Sequence, residues 1–294
     1  MRFTETVYRP PQEAKSLLLR ATQGCTYNRC NFCYISRGNP FMSNPVAGLE
    51  REVLEKKEQP GLTKHIYLVG SNPFALPFET LAAYAAVISG HIPDFAEIST
   101  QAMVRDVAAK TDEELRRLCG LGIRHLYIGT ENGNDAALAL MNKGHTSKEA
   151  LTQLWRLDAA GIAYTTQYIL GMAGSGQGRR SAAATAAFFN QVHPRRITTT
   201  GLTVFPGAPL ARMLADGTFV QASEKEKVEE MLAFLERLTT DTLFDSMHYL
   251  NALNYRFASK DEKEAVVADI KEALTEYSAE DFTLIAGREA LASL

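Results

Sequence analysis

Cys25-Thr-Tyr-Asn-Arg-Cys30-Asn-Phe-Cys33 is a C-x4-C-x2-C run that follows the apolar stretch Ser16-Leu-Leu-Leu-Arg-Ala-Thr22 and Gly24. It holds all but one of the 4 cysteines. Three thiolates on a short loop behind a strand can bind three irons of a cubane [4Fe–4S] cluster and leave the fourth iron open to a small molecule. Other readings compete. One of the 6 histidines could complete a zinc site, although structural zinc prefers two knuckles and no second C-x2-C or H-x3-H is present. The cysteines could be ordinary buried thiols, although three so close together invite oxidation. A four-thiolate electron carrier would need Cys119, which ends the helical run Glu114-Leu-Arg-Arg-Leu-Cys119 ahead of a strand. The open-iron reading is the strongest of these.

The composition narrows the setting. At 294 residues and 46% hydrophobic content the chain can bury a large core. Lys plus Arg (31) nearly balance Asp plus Glu (34), a net charge of −3, so there is no electrostatic case for nucleic acid or an anionic membrane. No apolar run approaches the ~20 residues that span a bilayer, and Met1-Arg-Phe-Thr-Glu-Thr-Val-Tyr-Arg-Pro-Pro11 has no signal-peptide core. Clustered thiols suit a reducing compartment. A cytoplasmic protein is expected, with no membrane and no evident nucleic acid among its partners.

Strand-like and helix-like segments alternate along the chain. Ser16–Thr22, His65–Val69, Phe95–Thr100, Ile123–Ile128, Ile162–Leu170 and Ile197–Val204 read as strands. Pro45–Lys57, Glu79–Ser89, Thr111–Cys119, Ser147–Ala160 and Ser181–Val192 read as the helices between them. Such β-then-α units with short connections imply α/β architecture with a parallel sheet covered by helices, either doubly wound or a six-unit (β/α)6 partial barrel. A G-x-G-x-x-G phosphate loop is absent after the first strand, where the cysteines stand. After Pro209 no strand is expected; Glu224–Thr240, Lys260–Tyr277 and Ala279–Ala292 read as a helical extension. The expected division is a core over residues 1–212 and an extension over 213–294.

In parallel α/β folds chemistry sits at the carboxyl ends of the strands. The cysteine loop lies on that face. Cys119 and Arg195-Arg196 precede strands and belong to the other face, the arginines as a solvated edge.

The cysteine loop resembles that of the radical S-adenosylmethionine (SAM) superfamily, whose usual spacing is C-x3-C-x2-C; here the first gap is one residue longer. Motifs in matching order extend the resemblance from about Leu17 to Leu210, and it is nearest to the oxygen-independent coproporphyrinogen oxidases and the Elongator catalytic subunit. It implies a partial TIM barrel and two cofactors, a [4Fe–4S] cluster on Cys25, Cys30 and Cys33, and SAM. Phe32 matches the ring that these proteins set against the adenine. Gly70-Ser71-Asn72 stands where many relatives carry Gly-Gly-Glu for the methionyl amino group. Asn72 is a weaker acceptor than a carboxylate, or simply part of an Asn-Pro turn. Ser99-Thr100-Gln101 offers polar contacts, and Arg105 a charge for a carboxylate. Gly129-Thr-Glu131-Asn-Gly133 resembles the Gly-x-Glu-Ser-Gly segment whose glutamate contacts SAM in those relatives; alternatively Glu131 is a turn residue favoured by a helix dipole.

Met141-Asn-Lys143-Gly resembles their Asn-Lys-Gly segment, with Lys143 a site cation or a helix-end charge. Gln167 and Gly171 close the SAM set, Gly171 by letting backbone approach a flat ring. Val204-Phe-Pro-Gly207-Ala-Pro-Leu210 is similar to their Pro-Gly-Thr-Pro-Leu stretch. In the extension, His248 and Asn251 either reach toward substrate as candidate catalytic groups or pack the extension on the core. The resemblance implies an enzyme that cleaves SAM reductively and abstracts hydrogen from a substrate. An external electron donor such as flavodoxin or ferredoxin is implied too. A small molecule or metabolite is expected over a macromolecule, and no substrate is legible. The rival class is a non-enzymatic iron–sulfur or electron-transfer protein, which would not need the glutamate after strand four.

Overall fold

The apolar periodicity translates into alternating strands and helices in a computed structural model that describes residues 6–59 and 64–287. The strands are β1 (Leu17–Arg20), β2 (Thr22–Gln23), β3 (Met42–Ser43), β4 (His65–Val69), β5 (Glu97–Met103), β6 (Ile123–Glu131), β7 (Ala163–Leu170), β8 (Arg196–Gly201), β9 (Leu243–Asp245) and β10 (Arg256–Phe257). The helices are α1 (Val46–Lys56), α2 (Phe78–His91), α3 (Val104–Ala108), α4 (Asp112–Gly120), α5 (Asp135–Leu140), α6 (Ser147–Ala160), α7 (Gly178–Phe189), α8 (Pro209–Ala215), α9 (Glu224–Leu235), α10 (Lys260–Glu276) and α11 (Ala279–Ala286). Eight strands form one sheet in the order β1-β4-β5-β6-β7-β8-β9-β10, and β2 pairs with β3 apart from it. Helix starts follow sequence signals: Thr111, Ser223, Ser259 and Ser278 each accept from the backbone three residues on, where an acidic side chain returns the bond. The helix expected over Ala279–Ala292 stops at Ala286, capped by left-handed Gly287 (φ 56°), and residues 288–292 lie outside the described residues.

The chain divides into two compact units: Met1–Asn28, Ile35–Ile128 and Gln153–Tyr164 form the first, and Arg29–Tyr34, Gly129–Thr152 and Thr165–Leu294 the second. In the first, β1, β4 and β5 pair in parallel, with Leu19 opposite Leu68 and Ile66 opposite Ile98. These side chains are fully or almost fully buried, as strands covered on both faces require. Glu13 is the polar exception. Its buried carboxylate accepts from Ser16, from Ser99 Oγ (2.7 Å) and from the Tyr127 hydroxyl (2.7 Å). Burial, with the Glu13 charge added, raises the neighbouring Tyr67 phenol far above its ordinary value.

In the second unit β7 pairs with β8 in parallel, and the sheet does not stop after Pro209 as expected. β9 adds a further parallel strand, Ile197 opposite Phe244, and β10 turns back antiparallel, Phe257 opposite Phe244. The physical reason is burial of Phe244, whose ring is wholly buried and stacks on Phe257 (centroids 5.0 Å apart), with an ion pair that fixes the register. Asp245 is buried and pairs with Arg196 on β8 and with Arg256 on β10 (3.1 Å). Arg196 is therefore a stitch between strands and not the solvated edge expected of it.

Helix α9 packs on α7 through Phe234 against Phe189, ring centroids 6.0 Å apart. From α9, buried Glu230 accepts from the Tyr168 hydroxyl (2.6 Å) and the Gly171 N–H (2.7 Å). Burial pushes the Glu230 carboxyl up to about 7 from 4.5. With its folded pKa raised, the unfolded chain ionises first, so stability falls as pH climbs between those two values and levels off above them. The expected loss is on the order of 3 kcal/mol. Thermal melts at intervals across that pH window check it, and Glu230→Gln should flatten the slope.

Candidate functional site

The cysteine loop is shared out: Cys25 belongs to the first unit, Cys30 and Cys33 to the second. All 4 cysteines are thiols outside any disulfide. In the first unit Asn28, at φ 47°, turns its N–H to Cys25 Sγ (3.4 Å). Asn72 is wholly buried behind β4. Its Oδ1 accepts from the Thr26 N–H (3.2 Å), while Nδ2 donates to Thr26 Oγ1 (2.7 Å) and to Asp106 Oδ2 (3.0 Å). Asp106 is fixed in turn by the Met103 N–H (2.8 Å), and burial holds its carboxyl above the usual range. The amide of Asn72 thus clamps the residue that follows Cys25.

Ser71 Oγ shares a hydrogen bond with Ser36 Oγ (2.5 Å). With its amide nitrogen turned inward, Gln101 donates to the carbonyls of Ser71 (3.0 Å) and Gly70 (3.1 Å). Strand β5 runs three residues past its expected end at Thr100, so Thr100 lies inside it and donates to the Leu68 carbonyl (3.0 Å). Arg105, on α3, is exposed, its guanidinium 5.2 Å from the Tyr27 ring centroid.

The second unit brings together Cys30, Phe32, Cys33, Glu131 and Lys143. The Asn31 N–H donates to the Met141 carbonyl (2.9 Å), Asn31 Nδ2 to the Leu140 carbonyl (2.8 Å), and Asn142 Nδ2 to the Arg29 carbonyl (3.0 Å). These three bonds zip residues 29–31 to the end of α5 and the turn beyond it. Lys143 Nζ stands 5.8 Å from the Phe32 ring centroid and 2.7 Å from Glu131 Oε1. Both partners of that ion pair are buried, at 5% and 6% exposure. Desolvation works against the Lys143 charge, but Glu131, Cys30 and Cys33 outweigh it and hold its pKa above the ordinary lysine value.

Glu131 ends β6 with φ at 65°, a left-handed conformation that costs a non-glycine residue on the order of 1 kcal/mol and clusters at functional sites. Its other oxygen, Oε2, is buried with no hydrogen-bond partner. Gly129 lies directly against the pair: a Cβ there would stand 2.4 Å from Glu131 Oε1 and 2.9 Å from Lys143 Nζ, so both side-chain ends would have to shift. Beyond it Asn132 donates to Ser181 Oγ (2.9 Å) and accepts from Thr185 Oγ1 (3.0 Å), anchoring the segment to α7.

These features fit the two expected cofactors. Among the described residues no three His, Cys, Asp or Glu side chains are gathered for one metal ion. A zinc ion would need its thiolates ~2.3 Å from a single centre, whereas a cubane gives each thiolate its own iron. In the second unit the donors are two thiols, Cys30 and Cys33, with a buried cation toward them, which suits an anionic cluster. The orphaned Glu131 oxygen suits a ligand hydroxyl or ammonium, since a buried acceptor without a donor is costly.

Other sequence candidates stand elsewhere in the second unit. Gln167 donates to Thr200 Oγ1 (2.8 Å), and Gly171, at φ 78°, is held by Glu230. Asn251 is buried and fully engaged: it accepts from the Gly201 N–H (2.7 Å) and donates to the Thr199 (2.9 Å) and Ser246 (2.7 Å) carbonyls. His248 is half-buried, stacks on Tyr249 at 4.6 Å, and accepts from the Leu250 N–H (3.2 Å). Cys119 Sγ donates to the Gly161 carbonyl (3.3 Å) in the first unit. Sequence reasoning passed over Asp106, Asn31 and Asn142. An acid opening the helix after strand three, and an amide between two of the cysteines, were the available signals.

A family model for the radical SAM superfamily matches residues 19–183, more than half of the chain. Among curated proteins, the chain is 27% identical over 182 residues to a tRNA-2-methylthio-N(6)-dimethylallyladenosine synthase of Alkalilimnicola ehrlichii, covering 57% of this chain and 39% of that protein. It is 24% identical over 255 residues to the protein of the same name from Cellvibrio japonicus, covering 80% and 51%. The chain thus spans about half or less of the length of these relatives. Among solved structures it is similar to coproporphyrinogen III oxidase from Escherichia coli, a radical SAM enzyme (TM-score 0.56, 19% identity, covering 76% of this chain and 54% of that one). It is likewise similar to the archaeal Elp3 of Methanocaldococcus infernus (TM-score 0.55, 12% identity, 87% and 63%). Another such structure, the radical SAM methyltransferase TsrM from Kitasatospora setae, has a [4Fe–4S] cluster bound (TM-score 0.55, 17% identity, 68% and 39%). These likenesses are of fold, the α/β partial barrel that the sequence led us to expect. Among the described residues no helix is long and apolar enough to cross a membrane. With its cysteine loop, its Gly-x-Glu turn and more than half its length matched, the chain belongs to the radical SAM superfamily.

Proposed function

We propose that this protein is a radical SAM enzyme in which Cys25, Cys30 and Cys33 hold a [4Fe–4S] cluster and SAM binds the remaining iron. The observation that carries the reading is Glu131, a strained, buried carboxylate with one oxygen tied to Lys143 and the other without a donor. Once bound and reduced by one electron from an external donor such as flavodoxin or ferredoxin, the two cofactors supply cleavage of the S–C5′ bond and a carbon radical that takes hydrogen from substrate. The chain's own residues bind and orient. Glu131 accepts ribose hydroxyls or the methionyl ammonium, with Lys143 as its fixed partner. Phe32 offers a ring to the adenine, and Arg105 a cation to a carboxylate. Gly70, Ser71, Asn72, Thr100, Gln167 and Gly171 complete the proposed SAM surroundings. Residues 1–212 form the proposed core and 213–294 the extension, from which half-buried His248 faces the substrate, while Asn251, fully engaged by backbone partners, packs the extension on the core.

The names of the curated relatives favour a tRNA nucleoside as an alternative to a small-molecule substrate. Against it stands the net charge of −3. Anaerobic reconstitution and reduction with SAM, read by mass spectrometry for 5′-deoxyadenosine, tests the activity. Total tRNA and a metabolite extract, added separately, decide the substrate class by which one accepts or donates hydrogen.

Reconstituted protein should hold about four irons and four sulfides per chain. Cys30→Ala should abolish that loading and Cys119→Ala should leave it intact, by iron and sulfide assay; loss in the Cys119 variant would undo the assignment of faces. Glu131→Gln should weaken SAM binding roughly 10- to 150-fold, the worth of one charged hydrogen bond. Equal affinities by titration would reduce Glu131 to a turn residue. Substituting His248→Ala should spare uncoupled SAM cleavage while slowing turnover of substrate, as measured by 5′-deoxyadenosine and product formed per unit time.

A further inference from the structure

We propose that Lys143 is a positioning residue with two tasks. It fixes the Glu131 carboxylate so that one oxygen stays open to the ligand, and it lends the Cys30–Cys33 side of the cluster a buried positive charge that eases its reduction. The inference rests on the proposed cluster and deepens that reading.

Four observations carry it. The Lys143 ammonium is 2.7 Å from Glu131 Oε1, and both side chains are withdrawn from water. The same ammonium stands over Phe32, the residue directly before Cys33. The placement is built rather than incidental, because Asn31 and Asn142 tie the backbone of the cysteine segment to residues 140–142, immediately ahead of Lys143. Two left-handed residues, Asn142 at 48° and Gly144 at 79°, then turn the chain around it.

The consequence follows from Coulomb's law in a poorly screened interior. A one-electron reduction by the external donor adds one negative charge to the cluster and its thiolates. A nearby fixed cation stabilises the reduced state more than the oxidised one and raises the potential. Glu131 has the opposite sign and opposes this, so the two partners have separable effects. Removing Lys143 leaves the carboxylate alone and should make reduction harder; neutralising Glu131 leaves the ammonium alone and should make it easier.

The test is an EPR-monitored potentiometric titration of the reconstituted full chain without SAM, on the unaltered protein and on Lys143→Gln, Lys143→Arg and Glu131→Gln. Lys143→Gln should lower the reduction equilibrium constant about tenfold, a shift of ~59 mV to more negative potential for one electron. Glu131→Gln should shift it the other way, and Lys143→Arg should restore most of the original value. Because Glu131→Gln tests the same field with the opposite sign, the proposal stays open to refutation even if Lys143→Gln does not fold. Unmoved potentials in variants that load four irons would overturn it, as would shifts of the same sign. Failure of the unaltered protein to assemble any cluster would instead remove the proposed function.

Discussion

Three cysteines on one short loop repel one another wherever they act together as thiolate ligands, and such a loop has little side chain to bury. The surrounding structure answers that constraint. In the first unit the answer is an amide: Asn72 spends all of its near hydrogen-bonding capacity on Thr26 and on its own brace, Asp106. In the second it is a zipper of backbone and amide bonds from Asn31 and Asn142, with a buried cation beyond it. Neither answer uses the residue type that the family pattern leads one to expect after strand two, a glutamate. The negative charge missing there would have stood in the same unit as Cys25. An amide clamps without adding to the repulsion.

The turn after β6 shows how glycine, strain and charge are coupled. Gly129 gives the room, the left-handed Glu131 gives the direction, and Lys143 offsets the desolvation of the carboxylate. A buried ion pair of this kind contributes little net stability, since desolvation consumes most of the attraction. Its value lies in specificity: one carboxylate oxygen is pinned and the other is left with an unmet need.

Most of the parallel α/β order was legible because long apolar runs at strand period and capped amphipathic helices carry strong local signals. The cysteine loop and the Gly-x-Glu turn were legible for another reason, since their chemistry is written in residue identity and spacing. What escaped was either short or non-local. Leu243-Phe-Asp245 is a strand of three residues, below the length at which alternation can be seen, and its anchors are distant in sequence: Phe244 stacks on Phe257, and Asp245 meets Arg196 some fifty residues earlier. Asp106 carries no local sign of burial; β5 extends to Met103, and that buries the first turn of α3. Asn251 combines three backbone partners from separate segments, an arrangement that no local pattern announces.

The way the sheet finishes has a consequence for solubility. An open sheet edge with unpaired N–H and C=O groups is a template on which another chain can add a strand. Here the last strand, β10, is two residues long, runs antiparallel to its neighbour, and carries Arg256 paired to Asp245. So brief and charged an edge offers almost no ladder for a second molecule to extend. Losing the Asp245 carboxylate would loosen β9 and β10 together and expose the longer, Thr-rich β8 as the new edge. Aggregation would then accompany any loss of stability at that position.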